Sequence, residues 1–83
     1  TTVPVFDTAK LTNTGMNNMF ASCTALSNTS LNNILAMCIN ATQITNTNYM
    51  TLKNVGLTSG QAATCEDLSN WSAFVAAGWT SGY

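Results

Sequence analysis

The chain has 83 residues, contains no histidine and has very few charged side chains. Charged residues make up 6% of the sequence, against about a quarter in ordinary soluble domains. Without histidine, the Ser-His and Cys-His nucleophile arrangements cannot form within this chain. The only basic residues, Lys10 and Lys53, offer almost no counter-charge to a phosphate backbone or an anionic membrane surface. We therefore expect no nucleic-acid partner.

The acidic residues and the apolar runs are equally sparse. Glu66 and Asp67 are neighbours in the sequence, so on a helix they point in different directions. A paired-carboxylate mechanism would need the fold to bring Asp7 to one of them. The longest strictly apolar run, Ile34–Ile39, is too short to cross a bilayer. We predict no catalytic residue, no cofactor, no membrane insertion and no enzymatic activity.

Three cysteines occur, and their number is odd. They are Cys23, Cys38 and Cys65, without a C-x-x-C motif. A closed four-ligand zinc site cannot be built from them alone, so no metal site is expected. Either Cys23 and Cys38 form one disulfide, or both are free cysteines that pack as small hydrophobic side chains. The sequence favours packing.

Threonine, asparagine and serine supply the polarity that charge does not, as in the stretch from Leu11 to Asn18. Such neutral surfaces are associated with proteins that work outside cells or in virus particles. The chain starts at Thr1 without a methionine and shows no signal peptide, so we interpret it as a processed chain or a piece of a longer one. Its length predicts a single domain over residues 1–83.

Two segments carry the apolar spacing of a helix face. In the first the apolar positions are Met16, Met19, Phe20 and Cys23. In the second they are Leu31, Ile34, Leu35, Cys38 and Ile39. Superposing Met16 on Leu31 matches every inward position, which predicts a duplicated helix. Thr14 or Asn13 would cap the first helix, and Thr29 or Ser30 the second.

Two short strands are predicted. Val3–Asp7 contains Pro4, which cannot donate to a ladder, so this strand belongs at the edge or end of a sheet. Met50–Val55 is the second strand, and Gly56 follows it as a turn point.

Two further helices are predicted near the C-terminus. Thr58–Gln61 fits the T-x-x-Q capping box, and the helix it begins extends to about Asp67. Another helix starts at Ser69 or Asn70 and stops at Gly78.

Two other features leave alternatives open. Leu11–Thr14 and Ile44–Thr47 read LTNT and ITNT, which is either a degraded repeat or a chance match. Trp79 and Tyr83 lie in the C-terminal tail, residues 78–83. They either stack on a sugar, which makes them tentative binding residues, or fold back to close the hydrophobic end of the domain.

Residues 3–26 resemble one repeat of the BspA-like leucine-rich-repeat surface proteins. The resemblance lies in a motif of Phe6-Asp7-Thr8, Thr12-Asn13, Met19-Phe20, Cys23 and Leu26. It implies strands stacked in a parallel sheet, with each Met-Phe-x-x-Cys segment packed behind them. Leucine-rich repeats run about 20–29 residues, and this chain has no second full unit.

The expected fold is therefore a small α/β, leucine-rich-repeat-like domain with short strands and about four short helices. Residues 1–26 would be the repeat-like unit and residues 27–83 the capping unit.

The resemblance also implies a function, because such repeats occur in bacterial surface proteins and in phage tails. The expected function is a non-enzymatic recognition or adhesion module, the terminal part of a repeat-type bacterial surface protein or receptor-binding phage tail protein. Its partner would be a cell-surface glycan or protein. Alternatively, it is a structural cap or assembly element that contacts neighbouring subunits of a virion or surface fibre. Either function places it outside the cell, on the bacterial surface or in a virion.

Overall fold

The structure, a computed structural model, describes residues 2–83. Its helices are α1 (Asn28–Asn40), α2 (Leu52–Val55), α3 (Ser59–Cys65) and α4 (Trp71–Ala76), with a 3-10 turn at Thr47–Tyr49. Helix α1 packs against α3 and α4. Ahead of α1 the chain winds through successive turns. Within residues 2–83 the only β-pairing is one isolated parallel bridge, between Thr51 and Thr80.

The expected α/β class with a stacked parallel sheet is therefore wrong. Residues 3–7 are not a strand. At Val3, side chains of α1 bond to the backbone groups that a neighbouring strand would need. The Val3 amide donates to Ser30 Oγ at 2.9 Å, and Asn33 Nδ2 donates to the Val3 carbonyl at 2.8 Å. Val5 and Phe6 are left 48% and 55% exposed.

The strand predicted at residues 50–55 is also wrong, because most of that segment forms α2. Thr51 begins the helix, accepting a hydrogen bond from the Asn54 amide at 3.0 Å. Gly56 ends it with a φ of +107°, a conformation that costs glycine little. Local capping therefore outweighs the apolar alternation that predicted a strand.

The predicted helix at residues 16–23 is wrong as well, and with it the duplicated helix. Asn18 and Ser22 have positive φ angles of 52° and 66°, which a right-handed helix cannot include. The segment is a series of turns. Met16 and Phe20 still face the core, but Met19 is 39% exposed and Cys23 is exposed. Half of the predicted inward stripe therefore faces solvent.

The second predicted helix is confirmed as α1, since Leu31, Ile34, Leu35 and Cys38 are all buried. Its N-cap is Ser27 rather than Thr29 or Ser30, so the helix begins earlier than expected. Ser27 accepts a hydrogen bond from the Ser30 amide at 3.2 Å.

The predicted capping box is confirmed at α3. The Thr58 hydroxyl accepts from the Gln61 amide, and the Gln61 side chain accepts from the Thr58 amide. The helix ends at Cys65, slightly before the predicted Asp67. Helix α4 follows Asn70, which makes no side-chain cap; its side chain instead donates to the Asn32 carbonyl of α1 at 3.1 Å.

Backbone hydrogen bonds join α2 to two other segments of the chain. The Asn18 and Phe20 amides donate to carbonyls of α2 at 2.8 and 2.9 Å. On its other side, α2 meets residues 80–81: the Leu52 amide donates to the Thr80 carbonyl at 3.1 Å. Met16 and Phe20 share one core with the buried residues of α1 to α4. The turns of residues 9–25, which we call the turn region, therefore form one packed unit with the rest of the described chain.

Candidate binding site

The two T-N-T turns lie against each other. Asn13 joins them, because its Oδ1 accepts hydrogen bonds from the Thr45 and Asn46 amides at 2.9 and 3.0 Å. The threonines around it, Thr12, Thr14, Thr45 and Thr47, are exposed. We call residues 12–14 and 45–47 together the Thr-Asn surface. None of its members carries a charge.

A cleft of about 410 Å³ opens beside this surface, at the C-terminal end of α1. Its walls come from α1, the following loop, Met50 and the residues that follow α4; they are Cys38, Ile39, Ala41, Thr42, Ile44, Thr45, Met50, Ala77 and Trp79. The volume lies within the range of about 300–1,000 Å³ usual for small-molecule sites. The walls are mostly apolar, and the two hydroxyls come from Thr42 and Thr45, which are both exposed.

The end of α1 supplies one further polar group. The last four carbonyls of a helix lack partners within it. Three of those in α1 accept hydrogen bonds, from the Thr8 hydroxyl and from the Ala41 and Thr42 amides. The fourth belongs to Ile39, and no donor among residues 2–83 reaches it. Ile39 is one of the residues that line the cleft.

The cysteines divide into two kinds. Cys38 lies in the cleft wall and is buried; burial, and then the nearby Cys65 thiol, raise the pKa of Cys38 far above its usual range. Burial also raises the pKa of Cys65 to about 11. All three thiols are free, so packing is confirmed for Cys38 and the Cys23–Cys38 disulfide is not formed. Cys65 is buried as well. Packing is wrong for Cys23, which is exposed.

The two tentative binding residues are separated. Trp79 is only 1% exposed, packs against Phe74 with ring centroids 5.8 Å apart, and contributes to the cleft wall. Tyr83 is 59% exposed; its hydroxyl donates to the Leu57 carbonyl at 2.6 Å, and Lys53 Nζ lies 5.5 Å from its ring centroid. The fold-back alternative is therefore confirmed for Trp79, and Tyr83 lies outside the cleft lining.

Sequence reasoning did not single out Thr42, Met50 or Ala77 as site residues, because no spacing rule links residues that meet only through tertiary packing. The LTNT and ITNT match includes Thr45, but from sequence it indicates only a degraded repeat or a chance match. The acidic residues Asp7, Glu66 and Asp67 are all exposed. Within residues 2–83, no three His, Cys, Asp or Glu side chains are grouped to hold a metal ion. Every helix of that part of the chain is too short or too polar to span a bilayer.

A scan against models of protein families, a search of curated proteins and a search of solved structures found no match to this chain.

Proposed function

We propose that this chain is a non-enzymatic recognition module that binds a neutral partner, such as a cell-surface glycan, through the Thr-Asn surface. The observation that carries the proposal is the bridge that Asn13 makes between the two T-N-T turns. Two consecutive amides donate to one side-chain oxygen, which holds both turns in a fixed relation, so the backbone that carries the exposed threonines is preorganised. Preorganised groups bind with a smaller loss of conformational entropy.

The chemistry of the surface favours a neutral ligand. Hydroxyls and carboxamides donate and accept hydrogen bonds without carrying charge, which suits the hydroxyl groups of a saccharide. The buried thiols Cys38 and Cys65 have raised pKa values and so hold little of the thiolate that nucleophilic catalysis needs. Both observations support recognition over chemistry.

The resemblance of residues 3–26 to BspA-like repeats supports placing the module in a bacterial surface protein or a receptor-binding phage tail protein, outside the cell. That proposal rests on the sequence motif alone, since the sheet implied by the resemblance is not formed.

Binding of the fluorescently labelled protein to bacterial cells and to arrays of neutral glycans tests the proposal. Because no ion pair is involved, we expect binding to persist from low to high salt, whereas binding through charges would be screened. Asn13→Ala removes the acceptor that joins the turns and should weaken binding, whereas Asn13→Asp keeps an acceptor and should retain it. Absence of binding to cells and to every neutral glycan would contradict the proposal.

A second candidate function is assembly within a virion or surface fibre. The observation that favours it is the adjacent pair Val5 and Phe6, which are 48% and 55% exposed; neighbouring exposed apolar side chains are frequent at protein interfaces. Light scattering on the purified chain separates the two candidates. A stable monomer favours recognition, and an oligomer of defined size that Phe6→Ser dissociates favours assembly.

A further inference from the structure

We propose that the cleft at the end of α1 binds the acetamido group of a neutral N-acetylated amino sugar. This inference rests on the proposed function and deepens it: the Thr-Asn surface contacts the sugar hydroxyls, and the neighbouring cleft takes the N-acetyl substituent. An acetamido group has a methyl group, one hydrogen-bond acceptor and one donor, and the cleft offers a counterpart to each.

The floor of the cleft suits the methyl group. Ile44, Met50 and Trp79 line the cleft and are 2%, 9% and 1% exposed, so the core holds these apolar walls in place. A methyl group placed against these walls leaves water, which is favourable because apolar area is buried. Trp79 is too deeply buried to offer its ring face, so the walls favour a small substituent over a stacked pyranose ring.

The rim of the cleft suits the amide part of the acetamido group. Thr42 and Thr45 are exposed residues of the cleft lining, and a threonine hydroxyl can donate to the acetamido carbonyl. The Thr45 amide is held by Asn13 at 2.9 Å, which fixes this part of the rim. The Ile39 carbonyl, which no donor among residues 2–83 reaches, can accept from the acetamido N–H. The C-terminal end of a helix carries partial negative charge, which favours a donor there.

The cleft also selects by charge. None of its lining residues is acidic or basic, and the single thiol, Cys38, is buried with a raised pKa. A carboxylate or an ammonium group would lose its hydration in the cleft without gaining a counter-ion. A free amino sugar, which is cationic, is therefore disfavoured relative to its N-acetylated form.

Two trisaccharides that differ only in this group test the inference by calorimetric titration of the whole chain. They are the β-1,4-linked trimers of N-acetylglucosamine and of glucose. We expect the N-acetylated trimer to bind at least about tenfold more tightly, since it adds about two hydrogen bonds and one buried methyl group.

Matched variants locate the site. Thr42→Val and Thr45→Val remove one hydroxyl each while keeping the shape, and we expect each to weaken the N-acetylated trimer about three- to tenfold. Ala77→Trp fills the cleft from an exposed position and should abolish the preference between the trimers. Thr29→Val makes the same hydroxyl deletion at the other end of α1, at an exposed position outside the cleft lining, and should bind as the parent does. Circular dichroism of each variant confirms that it is folded.

Equal binding of the two trimers, or unchanged binding by a folded Ala77→Trp variant, would overturn the inference. If cells or other neutral glycans still bind, the proposed function survives that result. If N-acetyl-lysine methyl ester binds and the N-acetylated trimer does not, the cleft recognises acetamido groups of proteins and the sugar assignment is wrong. If the protein binds neither trimer, no glycan of the arrays and no cells, both proposals fail together.

Discussion

At the scale of single residues, Gly56 has the most restrictive surroundings. Its φ is +107°, and a Cβ added there would lie 2.5 Å from the Ala21 nitrogen and 2.8 Å from the Ala21 Cα. Both atoms belong to the backbone, so neither can move aside cheaply. Glycine at this position lets the turn region approach the end of α2 closely enough for the Phe20 amide to donate to the Val55 carbonyl at 2.9 Å.

We predict that Gly56→Ala lowers the free energy of unfolding by about 2–4 kcal/mol, since it adds a backbone clash to the strain of a positive φ. Gly60→Ala is the matched control, because the nearest atom to a Cβ there is Thr58 Oγ1 at 4.0 Å. It lies in α3 and should stabilise the protein by about 0.5–1 kcal/mol. Urea unfolding of the three proteins measures both effects. Equal stability of the two variants would contradict the close approach at Gly56.

The buried thiols give the stability a pH dependence on the alkaline side. Burial raises the pKa of Cys65 to about 11, whereas an unfolded cysteine titrates near 8.5. The unfolded chain therefore loses this proton first as the pH rises. The stabilisation is complete below about pH 8.5 and is lost progressively toward about pH 11.

We expect the free energy of unfolding to fall between pH 8 and pH 10.5, and Cys65→Ala to make that fall shallower. All other residues are the same in both proteins, so the difference between the two slopes isolates the thiol. A thiol reagent at pH 8 should modify the exposed Cys23 at once and the buried pair only on unfolding. Identical slopes, or immediate modification of three thiols, would contradict the buried positions.

At the scale of secondary structure elements, local signals decided which predictions succeeded. Helix α1 has a complete apolar stripe, and α3 has a capping box, and both were found from sequence. The segment 16–23 has an apolar stripe of similar spacing, but Asn18 and Ser22 adopt positive φ angles. Their conformation depends on contacts distant in sequence, such as the bond from the Asn18 amide to the Asn54 carbonyl, which periodicity cannot reveal.

The same limit applies to the candidate site. The neutral composition predicts an uncharged polar surface but identifies no binding residue in it, and the T-N-T echo indicates only a degraded repeat or a chance match. The cleft was not predictable: Ile39, Met50 and Ala77 belong to three separate parts of the chain. Only the packing of α4 and the C-terminal tail against α1 brings them together.

The capping box gives a prediction at this scale. Thr58→Ala removes the hydroxyl that accepts from the Gln61 amide at 3.2 Å and should lower the free energy of unfolding by about 1 kcal/mol. Thr58→Ser keeps the hydroxyl and should stay within about 0.5 kcal/mol of the parent. Gln61 also donates to the Cys23 carbonyl at 2.6 Å, so loosening the box should additionally increase hydrogen exchange in the neighbouring turns. Equal stability of the Ala and Ser variants would mean that the box contributes nothing to the native state.

At the scale of the whole molecule, backbone hydrogen bonds to α2 connect separate parts of the chain, as the hydrogen bonds of the expected sheet would have done. The turn region donates hydrogen bonds to the last two carbonyls of α2, and the carbonyls of residues 80–81 accept hydrogen bonds from its first two amides. Because α2 has only four residues, too few to be stable alone, it depends on both neighbours. The two ends of the described chain are therefore coupled through a very short element, which favours cooperative unfolding.

The C-terminal tail tests this coupling, because it contributes a core side chain and three backbone hydrogen bonds to residues 50–53. Trp79 is 1% exposed, and residues 80–81 bond to the backbone of Met50, Leu52 and Lys53. We predict that Trp79→Ala lowers the free energy of unfolding by about 3–5 kcal/mol, as for other large buried aromatic residues. Removal of residues 79–83 should leave the chain largely unfolded, because that loss approaches the whole stability of a small domain.

Tyr83→Phe is the matched control for the tail. It removes only the hydroxyl that donates to the Leu57 carbonyl and should cost about 1 kcal/mol. Circular dichroism and urea unfolding compare the variants, and amide exchange at Asn18 and Phe20 reports whether loss of the tail reaches the turn region through α2. If the chain shortened at Gly78 keeps slow exchange at these two amides, the turn region is stable without the tail and the coupling through α2 does not exist.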